Sequence, residues 1–366
     1  MRITVDKISL EKALSVVAPA VSKKAVIPIT SCVKLDFNQN ILTVTGTDIE
    51  NTISSPLYFE SAYTEYKSVC IEFKDLFNIV KLISDLKLDL SFDDEKCILH
   101  SWNGDVVLPV INAEDFPLVP DLDKKFHTLK ISYSTLVDAL NKELIHVSKD
   151  ELRPIMCSYC LEGKDNEINI VSIDGHSLGI VEAEYTGEDN KVIISPSILR
   201  LLKGLNIEGD ITINYDSKHI EIDTSLGLIY SRCIEGTYPN YKAIVPSIDG
   251  DNYIVIDADI LNNTIKSATV CASSTSNLIS FDIRGTQLTI TARDIDFQKL
   301  ATFKLAIANV SGLELNIGFN SAKLIPILDA YEGEIRLYLS VANKPAVFVD
   351  EIKVYRQLLM PLTIKK

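Results

Sequence analysis

One pattern occurs three times along these 366 residues: a strand end, a polar turn, then an amphipathic helix. VDKISLEKAL (5–14), ISYSTLVDAL (131–140) and IDADILNNTI (256–265) start 126 and 125 residues apart. A second series interleaves with the first: EFKDLFNIV (72–80), ISPSILRLL (194–202) and GFNSAKLIPIL (318–328) recur at 122 and about 124 residues. Two interleaved series of nearly equal period mean three copies of one unit, each holding two helices and many strands. Solenoid repeats span roughly 20–50 residues, so this period marks a duplicated domain instead. The expected fold class is α+β, with three repeated domains at 1–123, 124–250 and 251–366, each carrying two helices packed on antiparallel sheets. The boundaries near Asp123 and Gly250 fall in polar, turn-prone segments.

Apolar residues at i, i+3, i+4 and i+7 predict the buried helix faces. They are Leu10, Ala13, Leu14 and Val17; Leu76, Ile79, Val80 and Ile83; and Ile198, Leu201, Leu202 and Leu205, while Leu136, Ala139, Leu140 and Leu144 are read as one face of the third helix. A weaker fifth face has Leu261, Ile265 and Ala268, and a sixth has Leu324, Ile327, Leu328 and Tyr331. Pro326 falls inside the sixth helix and removes one backbone donor. Alternating or β-branched runs between the helices, such as ILTVTGTDI (41–49), INIVSID (168–174), ITINYD (211–216) and LTITARDID (288–296), read as strands.

The formal net charge of −14 argues against a nucleic-acid partner unless the cations are gathered on one surface. They are concentrated on helices. The outer face of the second helix carries Lys74, Asn78 and Lys81, and the fourth carries Arg200 and Lys203 with no acid nearby in sequence. Lys7, Lys12, Lys23 and Lys24 accompany the first helix, and Lys266 and Lys323 lie on the fifth and sixth. The acids cluster in turns and strands, as in Asp93-Asp94-Glu95 and Glu208–Asp210. A basic helical layer within an acidic shell attracts phosphates locally while the far field stays negative.

Other function classes find little support. The N-terminus, MRITVDKISLEKAL, has no apolar core or cleavage site of a signal peptide, and no apolar run approaches the ~20 residues of a membrane span. A cytoplasmic location is expected. Seven scattered cysteines read as reduced packing residues, and Cys157-Ser-Tyr-Cys160 has no second ligand pair, so neither metal nor cofactor is expected. The five histidines, at 100, 127, 146, 176 and 219, sit in no nucleophile elbow or metal-ligand spacing. No catalytic residue is assigned.

Several short motifs, in order along the whole chain, resemble the bacterial replicative sliding clamp, the beta subunit of DNA polymerase III. They are Gly46-Thr47-Asp48-Ile49-Glu50, Ala113-Glu114-Asp115-Phe116-Pro117, Asp174-Gly175-His176-Ser177-Leu178, Glu235-Gly236-Thr237-Tyr238-Pro239-Asn240-Tyr241, Gly318-Phe319-Asn320 and Leu359-Met360-Pro361-Leu362. The resemblance implies three clamp domains per chain and two chains head to tail in a ring, with helices lining the hole. It implies a homodimer that holds double-stranded DNA without reading sequence and tethers polymerase as a processivity factor. By matching position, Lys24, Lys74, Lys81, Lys149, Arg153, Arg200 and Lys203 are the DNA-facing candidates.

The same resemblance implies a hydrophobic cleft between the second and third domains that captures short linear peptides of polymerases and clamp-loader subunits. Its residues would be Met156, Ile173, Gly175, His176, Leu178, Pro239, Ile244, Met360, Pro361 and Leu362. Methionine and aliphatic side chains suit such an adaptable groove. Ser177 and Ala243 stand where the family commonly has basic residues, and the tail continues through Thr363-Ile364-Lys365-Lys366. Ring closure would join an edge of domain one, at Val106 and Leu108, to an edge of domain three, at Thr269 and Val270. The competing expectation is a clamp-like protein scaffold that does not encircle DNA.

Overall fold

The computed structural model describes residues 1–22, 27–61, 68–119, 121–246, 248, 250, 252–310, 312–350 and 354–364. Six α-helices stand where the periodicity placed them: α1 (Lys7–Val17), α2 (Phe73–Leu82), α3 (Tyr133–Glu143), α4 (Ser197–Lys203), α5 (Ala258–Thr269) and α6 (Ser321–Leu328). The first helix of the first and third repeats starts with the same device. Asp6 accepts from the Ser9 backbone N–H and Asp257 from that of Ile260, both at 2.8 Å. Asn320 caps α6 through the Ala322 N–H at 2.9 Å. Each such cap stabilises its helix by about 1 kcal/mol.

The helices bury the faces read from the sequence. Leu10, Ala13, Leu14 and Val17 of α1, Leu76 and Val80 of α2, and Leu324, Ile327 and Leu328 of α6 are all in the core. One expectation fails. Leu144 is 45% exposed, while Glu143 and His146 are buried. The α-helix stops at Glu143 and a 3-10 turn, Leu144–His146, continues it. Leu144 is eight residues past Leu136, which puts it about 80° round the helix from it, while the i+7 position at the centre of the buried face is Glu143.

The chain forms two compact units. Met1–Val137, Thr186–Asn190 and Ser197–Glu235 make the first; Asp138–Tyr185, Lys191–Pro196 and Gly236–Lys366 make the second. In the first, the long strand Asn51–Ser61 pairs with Ile41–Thr47, Arg2–Asp6 and Gly227–Arg232, placing Ile53 opposite Ile229. Gly227, at φ 135°, lets this seam close, because a Cβ there would run into the Ser54 carbonyl. In the second, Ser177–Glu184 pairs with Tyr355–Leu359, placing Ser177 opposite Leu359. The seam is therefore made twice in the same way: the strand after an Asp-containing turn receives the last strand of the following repeat. The second unit also holds a four-stranded sheet, ordered Lys299–Ala306, Gln287–Asp294, Leu278–Arg284 and Leu315–Asn320.

Candidate nucleic-acid and peptide interfaces

With the apolar faces of α2 and α4 buried, Lys74, Lys81, Arg200 and Lys203 are left exposed on the first unit. Lys74 and Arg200 share one concavity of about 840 Å³ with Pro19, Val21 and Phe73, so the fold brings the two helices' cations together. Lys74, Lys81 and Lys203 make no ion pair among the described residues, and the Lys81 ammonium lies 4.6 Å above the Phe77 ring. Arg200 corrects the sequence reading. Its guanidinium is 3.4 Å from the Asp48 carboxylate, brought in by the turn before Asn51–Ser61. The pair is largely solvated and contributes about 0–1 kcal/mol.

The third repeat differs. Lys266 is bound to Asp329 at 2.9 Å and Lys323 is bound to Asp174, so both cations expected in the basic layer are locally neutralised. In the second unit Lys149 is exposed, and Arg153 pairs with Asp150 at 2.8 Å. Their loop is closed by the Ser148 N–H donating to the Met156 carbonyl at 2.8 Å. Lys24 lies outside the described residues.

The expected peptide-binding residues gather on the second unit around the turn Asp174-Gly175-His176-Ser177. Asp174 Oδ1 accepts the N–H groups of His176 and Ser177 at 2.8 and 2.7 Å, and Gly175 takes φ 88°, which glycine adopts at little cost. These backbone donors and Lys323 hold the Asp174 carboxyl below its ordinary pKa, against the opposing effect of burial, the largest single contribution. The Met360 N–H donates to the His176 carbonyl at 2.8 Å, and that of Leu362 to Gly318 at 2.7 Å. Chain from residues 174–177, 318 and 360–362 is thereby tied together.

The segment with Pro239 and Ile244 joins the same unit through the Tyr238 hydroxyl, which donates to the Val171 carbonyl at 3.2 Å. Met360 and Ile244 are 45% and 50% exposed, and Met156, Pro239, Pro361 and Leu362 are half-buried. Ile173 and Leu178 face each other across the strand pair and are buried, so they support this surface from beneath. Asp174 serves the turn and Lys323, and Ser172 bonds Glu143.

The edge residues need a correction. Gly104–Pro109 pairs only with Lys96–Ser101 among the described residues, so it is an open edge. Leu108 points into the core, Val106 is half-buried, and Val107 is 57% exposed. Thr269 and Val270 lie at the C-terminal end of α5, with Val270 72% exposed, and on no strand. An open edge of the second unit is Lys299–Ala306, which pairs only with Gln287–Asp294 among the described residues and exposes Leu300 and Phe303. Its lack of clean alternation concealed it in the sequence, because it is exposed on both faces.

Residues 1–120 match the family model for the DNA polymerase III beta subunit, N-terminal domain, and residues 242–363 match that for its C-terminal domain. The chain belongs to the DNA polymerase III beta subunit family. It is similar along its length to the beta sliding clamp of Pseudomonas putida, with 27% identity over 357 residues and 96% of each chain aligned. A crystal structure of the Pseudomonas aeruginosa sliding clamp resembles it with TM-score 0.89 at 22% identity, covering 100% of both chains. The Bacillus subtilis clamp structure gives 0.86 at 21% identity and the same coverage. This beta-subunit family member has the three-domain clamp fold, and the family is one of non-enzymatic processivity factors in DNA replication.

Within the beta-subunit fold sits a polar cluster that sequence reasoning missed. Ser172, Gly179 and Gln357 face one another across three adjacent strands of the second unit. Above them lies the end of α3. Glu143 Oε2 accepts from the Ser172 N–H at 2.9 Å and from its hydroxyl at 2.6 Å. His146 Nε2 is 2.8 Å from Gln357 Oε1, and Gln357 donates to the Ile327 carbonyl at 3.1 Å. Burial drives the Glu143 carboxyl well above its ordinary pKa and pushes the His146 imidazole down to about 4, so the imidazole is neutral at pH 7. A carboxyl and an imidazole three residues apart in an apolar helix end, with a glycine in a strand, were the available signal.

Proposed function

We propose that two copies of this chain close head to tail into a ring around duplex DNA, in the cytoplasm, and tether polymerase as it moves. The repeats would be its domains, at 1–123, 124–250 and 251–366. The observation that carries this reading is the division of labour on α2 and α4: apolar faces buried, and Lys74, Lys81, Arg200 and Lys203 turned to solvent. Cations on rigid helices neutralise phosphates without reading bases, as a protein that slides must. Lys24, Lys149 and Arg153 would add to the same contact.

Two of the open edges among the described residues support closure. Open strands with exposed apolar residues invite pairing, and a closed ring satisfies them. Gly104–Pro109 of one copy would meet Lys299–Ala306 of the other, with Val106, Val107, Thr269 and Val270 packed about the joint. The exposed Met360 and Ile244, with Met156, Pro239, Pro361 and Leu362, would take short peptides from polymerases and clamp-loader subunits. The mass in solution tests ring formation: a dimer near twice 40.6 kDa is expected. Val107→Glu with Phe303→Glu should shift it to monomer. A wild-type chain that stays monomeric at every concentration would remove the ring.

A further inference from the structure

The single tryptophan of this chain stands 79% exposed at the tip of a hairpin. Trp102 and Asn103 form the two-residue turn between Lys96–Ser101 and Gly104–Pro109. Ser225 and Leu226 form the same turn between His219–Thr224 and Gly227–Arg232, 123 residues later. The registers agree: Ser101 lies opposite Gly104 and Thr224 opposite Gly227, and both glycines have positive φ, at 151° and 135°.

The second hairpin shows where such a tip goes. Gly227–Arg232 pairs with Asn51–Ser61, placing Leu228 opposite Ser54, and the Ser55 hydroxyl donates to the Leu226 carbonyl at 2.8 Å. Ser225 and Leu226 thereby border a concavity of about 450 Å³ whose other wall is α1, with Ser9, Lys12 and Val16. The small Ser225 side chain leaves that space unfilled. The backbone of Ser54 walls in Gly227, whereas the space beside Gly104 is open.

The third repeat has the same receiving wall. Asp257 caps α5 through the Ile260 N–H as Asp6 caps α1 through that of Ser9, which sets Ile260, Asn263 and Ser267 at the places of Ser9, Lys12 and Val16. Ile260 is 55% exposed, and Asn263 and Ser267 are exposed. Ser267 Oγ already donates to the Asn263 carbonyl at 2.9 Å, so an apolar ring can cover it without stranding a donor. Thr47 opposite Thr52 and Arg293 opposite Leu300, each just before its turn aspartate, align Asn51–Ser61 with Lys299–Ala306. Carried over to the open edges, the register sets Asp105 opposite Thr302, half-buried Val106 opposite half-buried Ala301, and exposed Val107 opposite exposed Leu300. A slip of one residue would turn these faces over.

We propose that Trp102 anchors ring closure by entering the other copy's groove between α5 and Lys299–Ala306, as Ser225 and Leu226 stand against α1. The inference rests on the two-chain ring proposed above. A second copy is the occupant because the hairpin and the wall that match the internal pair lie on opposite ends of one chain, each without its counterpart among the described residues. Trp102 fills the gap that the serine leaves in the internal seam, and a buried aromatic ring makes it the anchor of the joint.

Trp102 is the sole source of tryptophan fluorescence, so emission of the full-length chain, read beside sedimentation over a dilution series, follows the anchor directly. The dimer should emit to the blue and resist acrylamide, and the monomer formed on dilution should emit as exposed indole. Trp102→Ala should weaken dimerisation about thirtyfold, as loss of a buried aromatic anchor does. Ile260→Glu, on the receiving wall, should act in the same direction, and Trp102→Phe should recover most of the loss. Both side chains are exposed in the single chain, so thermal melts of the monomer should not move. A dimer whose Trp102 emits as exposed indole, or one indifferent to both substitutions, would overturn the inference and leave the ring standing. A chain that stays monomeric at every concentration would remove the ring, and the inference with it.

Discussion

Replacing Gly179 with alanine should damage the second unit far more than its small volume suggests. A Cβ at Gly179 would lie 2.5 Å from both Glu143 Oε2 and His146 Cδ2. A flexible carboxyl could normally move aside, but this one is fully buried and bonded twice to Ser172. Displacing it breaks two hydrogen bonds at about 1 kcal/mol each and adds overpacking of about 1–3 kcal/mol. A total of about 3–5 kcal/mol is expected, a large share of a typical folding stability of about 5–15 kcal/mol. A chain of several domains does not unfold in two states. The assay is therefore hydrogen exchange of the Ser177–Glu184 amides, which reads local opening directly. Glu143→Ala removes the carboxyl and its two bonds to Ser172 but leaves His146 against the new methyl, so Gly179→Ala should cost about 2 kcal/mol less in that background and keep part of its overpacking cost. Equal cost in both backgrounds would refute the packing argument.

The same cluster gives a pH signature. The unfolded imidazole gains a proton near its ordinary 6.5, while folded His146 resists until about 4, so its contribution to stability is lost as pH falls through that window. At about 1.4 kcal/mol per unit this amounts to about 3 kcal/mol. Glu143, with its carboxyl raised, acts in reverse and loses stability as pH rises above its unfolded value of 4.5. Thermal melts from pH 4 to 8 should therefore show His146→Gln gaining on the wild type as pH falls below 6.5; a constant difference would contradict the assignment. Substituting Lys81, Arg200 and Lys203 together by glutamine should weaken retention on DNA and flatten its salt dependence by up to about three units of slope. An unchanged slope would take DNA away from that face. Lys266→Gln, by contrast, should change DNA retention little, because its ammonium is already bound to Asp329.

The sequence was most legible where periodicity and duplication act together. All six helices could be placed because their apolar faces recur with a period that a single helix could not establish. The turn at Asp174 was legible because an Asx turn needs particular residue types in consecutive positions. Long-range contacts were not legible. Nothing in linear spacing pairs Arg200 with Asp48 or Lys323 with Asp174, and both pairings change the charge left for ligands. Leu144 was misplaced because the i+7 position of its helix face is a glutamate, Glu143, and the apolar neighbour was read in its stead. The edge Lys299–Ala306 escaped notice for a related reason: with little of it buried, it has no inward face to impose alternation.

The central claim is topological, and one measurement addresses it. The chain is loaded onto a nicked circular duplex, freed of unbound protein, and the circle is then cut once. A ring held by enclosure should stay bound to the circle through a salt wash and leave after linearisation by sliding off the ends. Retention on the linear product equal to that on the circle would mean the chain grips DNA from outside or not at all, and the ring would be wrong.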